Sequence, residues 1–184
     1  SDNADGNLAA KQSAEISIQI TIDPTNDAPV LTPVLPNFAE ITEDNVANAG
    51  QTVAQLLGSS VEDVDANAVE GVAVTAADAG NGTWQYNLTG VWQDFGVVSG
   101  QSALLLGSGD MVRFVPNEEN ATTADFTYQA WDQQTSGNAG DKVDATANGE
   151  GTAFSTASDT ASIDITEIFE ASAGSEIIHG SNYD

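Results

Sequence analysis

Carboxylates and amides gather in three short stretches of this chain. Asp23, Asn26 and Asp27 form the first, Glu43, Asp44 and Asn45 the second, and Glu62, Asp63, Asp65 and Asn67 the third. Like charges this close repel one another unless a cation sits between them. Hard oxygen donors suit calcium (Ca2+), which takes roughly six to eight of them. If the strands bring the three stretches together, that number becomes available. The same residues also serve plain turns, because Asp and Asn side chains bond their own backbone. That reading stays open at each cluster.

A second candidate is the long stretch from Gln133 to about Ser158, which follows Phe126–Asp132. Structureless loops beyond about 12–15 residues are uncommon in a compact domain and are usually functional or disordered. This one carries Asp141, Asp144, Asn148 and Glu150 among small residues. A rigid strand presenting Trp131 and Asp132 at its base is how a sandwich displays a binding loop. A flexible insertion without a partner is the plain alternative. The aromatics Trp84, Tyr86, Trp92, Phe95, Phe114, Phe126, Tyr128 and Trp131 fall in the middle of the chain and read mostly as core. Either Trp92 or Trp131 is a candidate to line a pocket. Asn81-Gly82-Thr83, Asn87-Leu88-Thr89 and Asn120-Ala121-Thr122 fit the N-glycosylation pattern, which Asn-rich turns also produce by chance.

Composition removes other chemistries. The chain has no cysteine, which excludes disulfides, thiol nucleophiles and cysteine-held metals. Its one histidine, His179, falls in the tail, so a Ser-His-Asp triad is not expected. Asp+Glu number 28 against 3 Lys+Arg, for a net charge of −25 over 184 residues. Lys11, Arg113 and Lys142 cannot form the basic patch that a nucleic acid needs. No apolar run approaches the roughly 18 residues of a membrane span. The acid must be neutralised or it strains the compact state by self-repulsion. Bound divalent cations do this, and so does high external salt.

The elements that position these groups read as strands. Ile16, Ile18, Ile20 and Ile22 alternate with polar residues, a pattern with one buried face. Val72–Thr75, Thr83–Leu88, Ala103–Leu106, Met111–Val115, Phe126–Trp131 and Ala161–Thr166 also read as strands, with turn residues between them. The expectation is an all-β fold, a β-sandwich. Ala14-Glu15-Ile16-Ser17-Ile18 is echoed by Ala161-Ser162-Ile163-Asp164-Ile165, as in an array of similar units. Residues 1–23 would then be the last strand of a preceding unit, or else an extra strand of this one. Residues 24–29 form a linker, 30–170 one complete module, and 171–184 a tail whose glycine spacing approaches calcium-binding nonapeptide repeats.

Asn26-Asp27-Ala28-Pro29, Ile41-Thr42-Glu43-Asp44, Val61-Glu62-Asp63-Val64-Asp65, Thr83-Trp84-Gln85-Tyr86 and Val112-Arg113-Phe114-Val115-Pro116 resemble cadherin-like repeats of giant bacterial repeats-in-toxin (RTX) adhesins. Tyr128–Gln133 and Phe154–Ala161 are similar to the peptide-binding domains among them. The chain departs from that pattern at Gln134 and in its acidic loop. The resemblance implies an immunoglobulin/cadherin-like β-sandwich with a long calcium-binding loop, on a bacterial surface, exported by a type I route and contributing to biofilm. It also implies adhesion through free C-terminal peptides of proteins on host or neighbouring cells, with a loop-held calcium taking the terminal carboxylate. Mapped onto this chain, Asp132, Gln133, Asn148 and Glu150 are the calcium or ligand contacts, with Gln134 beside them and Trp131 as an apolar wall. Neighbouring repeats are further partners, and Asp184 at the chain's end is a candidate ligand for head-to-tail self-association. Two alternatives stand beside this reading: a calcium-rigidified extender with no ligand, and calcium-dependent sugar binding. An enzyme is not expected, since no apolar setting is visible that would raise one carboxylate's pKa.

Overall fold

The computed structural model describes residues 17–20, 25–65, 68–134 and 136–168. Asp23, Asn67 and the tail with Asp184 lie outside the described residues. In chain order the elements are β1 (Val30–Leu31), β2 (Ile41–Thr42), β3 (Gln51–Thr52), α1 (Val53–Leu57), β4 (Val61–Glu62), β5 (Gly71–Asp78), β6 (Gly82–Asn87), β7 (Trp92–Asp94), β8 (Ala103–Gly107), β9 (Met111–Pro116), β10 (Thr122–Trp131), β11 (Lys142–Val143) and β12 (Phe154–Thr166). The six expected runs from Val72 onward fall on β5, β6, β8, β9, β10 and β12. Short α1 starts from a capping box, in which the Thr52 hydroxyl accepts from Gln55 N and the Gln55 side chain accepts from Thr52 N. Among the described residues no helix is long and apolar enough to cross a membrane.

Two sheets carry the structure. One has six strands in the order β11-β8-β5-β10-β12-β2, the other four in the order β3-β9-β6-β7, and β1 and β4 form a separate pair. Period-2 alternation decides which side chains face inward. Trp84, Tyr86, Val112 and Phe114 from the smaller sheet meet Val72, Val74, Leu104, Leu106, Phe126 and Tyr128 from the larger in one buried cluster. Trp84 sits at its centre, with ring centroids 4.9 Å from Phe126, 5.2 Å from Phe114 and 5.3 Å from Phe38. Its indole N–H donates to Asp78 O at 3.1 Å, so its polar edge is satisfied.

The larger sheet is covered on part of its other face as well. Ala73, Ala103, Leu105, Trp131, Ala145, Ala153 and Phe154 form a second cluster there. This is why Ala103 to Leu106 is a continuous apolar run rather than an alternating one: a strand covered on both faces has no polar side. The residues of 17–20 behave oppositely. They belong to no strand, and Ile18 and Ile20 are 80% and 79% exposed. Ile163 and Ile165, in the echoing motif, are 4% and 3% exposed. The expected buried face is therefore not found within 17–20.

One buried carboxylate fastens the edge of the larger sheet. Asp159 is 2% exposed. It accepts from Val34 N at 2.8 Å, Leu35 N at 3.1 Å and Thr160 N at 2.8 Å, with the Tyr128 hydroxyl donating at 3.4 Å. Burial pushes the Tyr128 phenol up, and the Asp159 charge and hydrogen bond push it further. A raised phenol contributes stability that is complete below the ordinary tyrosine value of about 10 and is lost as pH rises above it. Asp159→Ala is expected to lower the unfolding free energy by about 2–3 kcal/mol, because it takes the charged acceptor from three part-buried N–H groups and from the buried Tyr128 hydroxyl. Asp164→Ala, on the exposed side of β12, should change it by less than about 0.5 kcal/mol. Tyr128→Phe should flatten the loss of stability above about pH 10. Urea melts of the three variants across pH measure all of this.

Candidate functional site

The end of the larger sheet where β10 stops brings Asp63, Asp65, Glu70 and Asp132 around one cavity. Asp132 follows β10 directly, and its backbone N–H donates to Ala153 O at 3.2 Å. Its carboxylate is 1% exposed. The Asn26 amide donates to Asp132 Oδ2 at 2.8 Å and Gln134 N donates to Oδ1 at 2.8 Å. The same Asn26 amide reaches Thr152 O at 3.1 Å. Beside it, Asp27 N donates to Asp65 Oδ2 at 2.8 Å and Ala28 N donates to Glu150 O at 2.7 Å. The entry segment 26–28 is thus laced to the end of β10, to the long loop and to the acidic run after β4.

Between these groups lies a cavity of about 140 Å³. Asp63, Asp65 and Asp132 line it together with Pro29, Val61 and Trp131. Asp63 Oδ1 closes a turn by accepting from Asp65 N at 2.8 Å, as expected of a turn aspartate. Asp63 Oδ2 is buried and has no hydrogen-bond partner. A buried anionic oxygen without a donor is costly unless a cation or other ligand meets it. The donors around the cavity are oxygens, the set that suits a hard divalent ion. Among the described residues, no three His, Cys, Asp or Glu side chains already form a metal-holding group.

The acidic clusters do not all converge. Asn26, Asp27, Asp63, Asp65, Asp132 and the Glu150 carbonyl come together. Glu43 does not: its N–H donates to Thr166 O, at the far end of β12 from Ala153. At about 3.3 Å per residue, the 13 residues of β12 put roughly 40 Å between the two ends. Asp44 is exposed in the turn beside Glu43, and Glu62 is exposed on β4 opposite Val30. The expected union of all three clusters is corrected to two, because β2 runs parallel to the last residues of β12. Sequence reading passed over Glu70, which also lines the cavity, and the Thr152 carbonyl. Glu70 closes the acidic run that starts at Glu62, and only that proximity could have marked it.

The long loop is built down onto the sheet. Trp131, expected as an apolar ligand wall, is 2% exposed and belongs to the second core, although it also lines the cavity. Gln133 turns its amide inward to Glu70 O at 2.7 Å, and Gln134 is exposed. Asn148 is exposed, with its amide 3.5 Å from Thr146 O. Asp141 accepts from Asn138 N, and Asp144 accepts from the Thr146 hydroxyl and N–H, which hold the Asp144 carboxyl below its ordinary value. Gln133 and Glu150 both adopt left-handed backbone, with φ of 59° and 50°. That conformation costs a side-chain-bearing residue about 1–2 kcal/mol. It is held by the bonds to Glu70 O and from Ala28 N, both at this same end of the sheet. The linker, expected to hold calcium, and the loop, expected to hold calcium and ligand, are thus joined through Asn26.

Comparison with protein-family models, with curated proteins and with solved structures finds no match to this chain.

Asn26→Ala removes the amide that joins Asp132 to Thr152. It is expected to cost about 1–3 kcal/mol in EDTA, from the loss of a donor to a buried carboxylate. Amide exchange should speed up at Ala28 while Ala124 and Phe126, deep in β10, stay protected. Asn148→Ala should leave both unchanged. Urea melts and hydrogen exchange measured by mass spectrometry check this.

Proposed function

We propose that the chain is a calcium-dependent adhesion module of an extracellular bacterial surface protein, an immunoglobulin/cadherin-like sandwich in an array of repeats. In this reading Asp63, Asp65 and Asp132 hold calcium in the cavity at the entry end. The observation that carries it is Asp63 Oδ2, buried without a partner beside two further carboxylates. The ligand class follows from the resemblance and from charge. A chain of net charge −25 repels an anionic peptide end, and a bridging cation reverses that. Calcium with an open coordination position takes the terminal carboxylate of a partner's peptide, and the exposed part of the 133–150 loop meets the residues before it. The charge logic does not require a catalytic group, and the module acts by binding alone.

One observation favours a second reading, a calcium-stiffened structural repeat. The long loop is packed over a core of its own rather than extended from the sheet.

Thermal melts in EDTA and in millimolar calcium at matched ionic strength test the shared part. At about 100-fold excess over its dissociation constant, one calcium site adds about 2.7 kcal/mol. The melting point should rise with calcium, and Asp63→Ala should remove most of the rise. Equal melts would refute the calcium site. Capture of a library of peptides with free or amidated C-termini tests the rest. Retention of free ends only, and only with calcium, supports peptide adhesion. A calcium-dependent rise without capture leaves the structural repeat.

A further inference from the structure

The outward face of the four-stranded sheet carries groups that the entry end does not use. Gln85 on β6 pairs across to Asp94 on β7 and to Arg113 on β9, making one row. Asn87 pairs likewise with Trp92 and Met111 in the next row. The alternate residues Trp84, Tyr86, Val112 and Phe114 are buried, so both rows face solvent. Arg113 Nε and Nη2 donate to Gln85 Oε1 at 3.0 and 2.7 Å, and Gln85 Nε2 donates to Asp94 Oδ1 at 2.8 Å. The guanidinium carbon lies 4.3 Å from the centre of the Trp92 ring. Trp84 and Trp131 are each 2% exposed, whereas Trp92 is half-buried on this face. The result is a flat surface with one indole fixed by an arginine and a row of planar polar groups fixed by one another.

We propose that this face binds neutral carbohydrate without calcium. Trp92 offers an aromatic surface to the C–H side of a sugar ring, and Arg113, Gln85 and Asp94 offer fixed donors and acceptors to its hydroxyls. Charge selects the class. The net charge of −25 disfavours a polyanion, and Arg113 and Asp94 offset one another within the row, so the face itself does not call for an ion. A wholly apolar partner would bury the polar row without replacing its water. An open sheet face, unlike a closed pocket, accommodates an extended glycan chain.

The test is affinity electrophoresis of the full chain, in EDTA, through gels containing dextran, galactomannan or mixed-linkage β-glucan, followed by tryptophan fluorescence with the retarding polymer. At least one polymer should retard the chain and shield the half-buried Trp92 indole from acrylamide quenching. Trp92→Ala should weaken binding about tenfold or more, and Arg113→Gln several-fold, both at temperatures well below their melting points, where the chain stays folded. Migration unaffected by all three polymers overturns the proposal. So does retardation that survives Trp92→Ala, or retardation that appears only with calcium, which would place the sugar at the entry end.

Discussion

Two buried carboxylates hold the module's entry to its sheet, and neutral groups hold the carboxylates. Asp132 and Asp159 are 1% and 2% exposed. Their partners are the Asn26 amide, the N–H groups of Val34, Leu35, Thr160 and Gln134, and the Tyr128 hydroxyl. An unpaired buried charge would be prohibitive, but hydrogen bonds to an ionised acceptor are roughly twice as strong as neutral ones. Asp132 thereby pins residue 26 to the end of β10, and Asp159 pins residues 34–35 along β12. The segment entering the sandwich has almost no ladder of its own, since β1 is only two residues long. Its path rests on these two side chains together with scattered backbone bonds, such as Ala28 N to Glu150 O, Thr32 N to Ser60 O and Phe38 N to Ser162 O.

The two cations among the described residues, Arg113 and Lys142, do not bond to the chain's acid. Arg113 bonds Gln85 and Asn48 O, and Lys142 bonds Val97 O, all neutral acceptors. The surplus charge is therefore left to the solution or to bound ions. That distribution explains why hydrogen bonds from amides and backbone recur at each acidic turn. It also separates the two faces proposed for binding. The entry end is strongly anionic and needs a cation to receive a carboxylate, whereas the Trp92 face sets Arg113 against Asp94 in one row.

The larger strands were legible because burial leaves a pattern in their residues. Thr83 to Tyr86 alternates because one side faces the core. Ala103 to Leu106 does not alternate because the loop covers the other side, so the same run also contained the news that the loop packs down. That second message was missed, since a short continuous apolar run does not say what covers it. The short pieces were not legible. β2, β3, β4, β7 and β11 are each two or three residues long, too short for any period to show. Their pairing decides the site: because β2 joins the last residues of β12, Glu43 and Asp44 leave the cluster that their composition suggested.

Opposite ends of β12 each leave a carboxylate oxygen buried without a partner, Asp63 Oδ2 at the entry end and Glu43 Oε2 at the other. At the second end Ile168 N donates to Glu43 Oε1 at 3.3 Å, so the chain leaves the sandwich beside Glu43. Entry and exit are thus at opposite poles of the long sheet, and each pole has one unsatisfied anionic oxygen. For units joined in series, the exit pole of one faces the entry pole of the next. In the proposed array the entry-end deficit is met by the calcium proposed there, and the Glu43 oxygen at the exit pole stays without a partner inside the unit. The acid that a single ion leaves over still repels itself within the compact unit, so a bound ion at the entry end offsets only part of the charge excess.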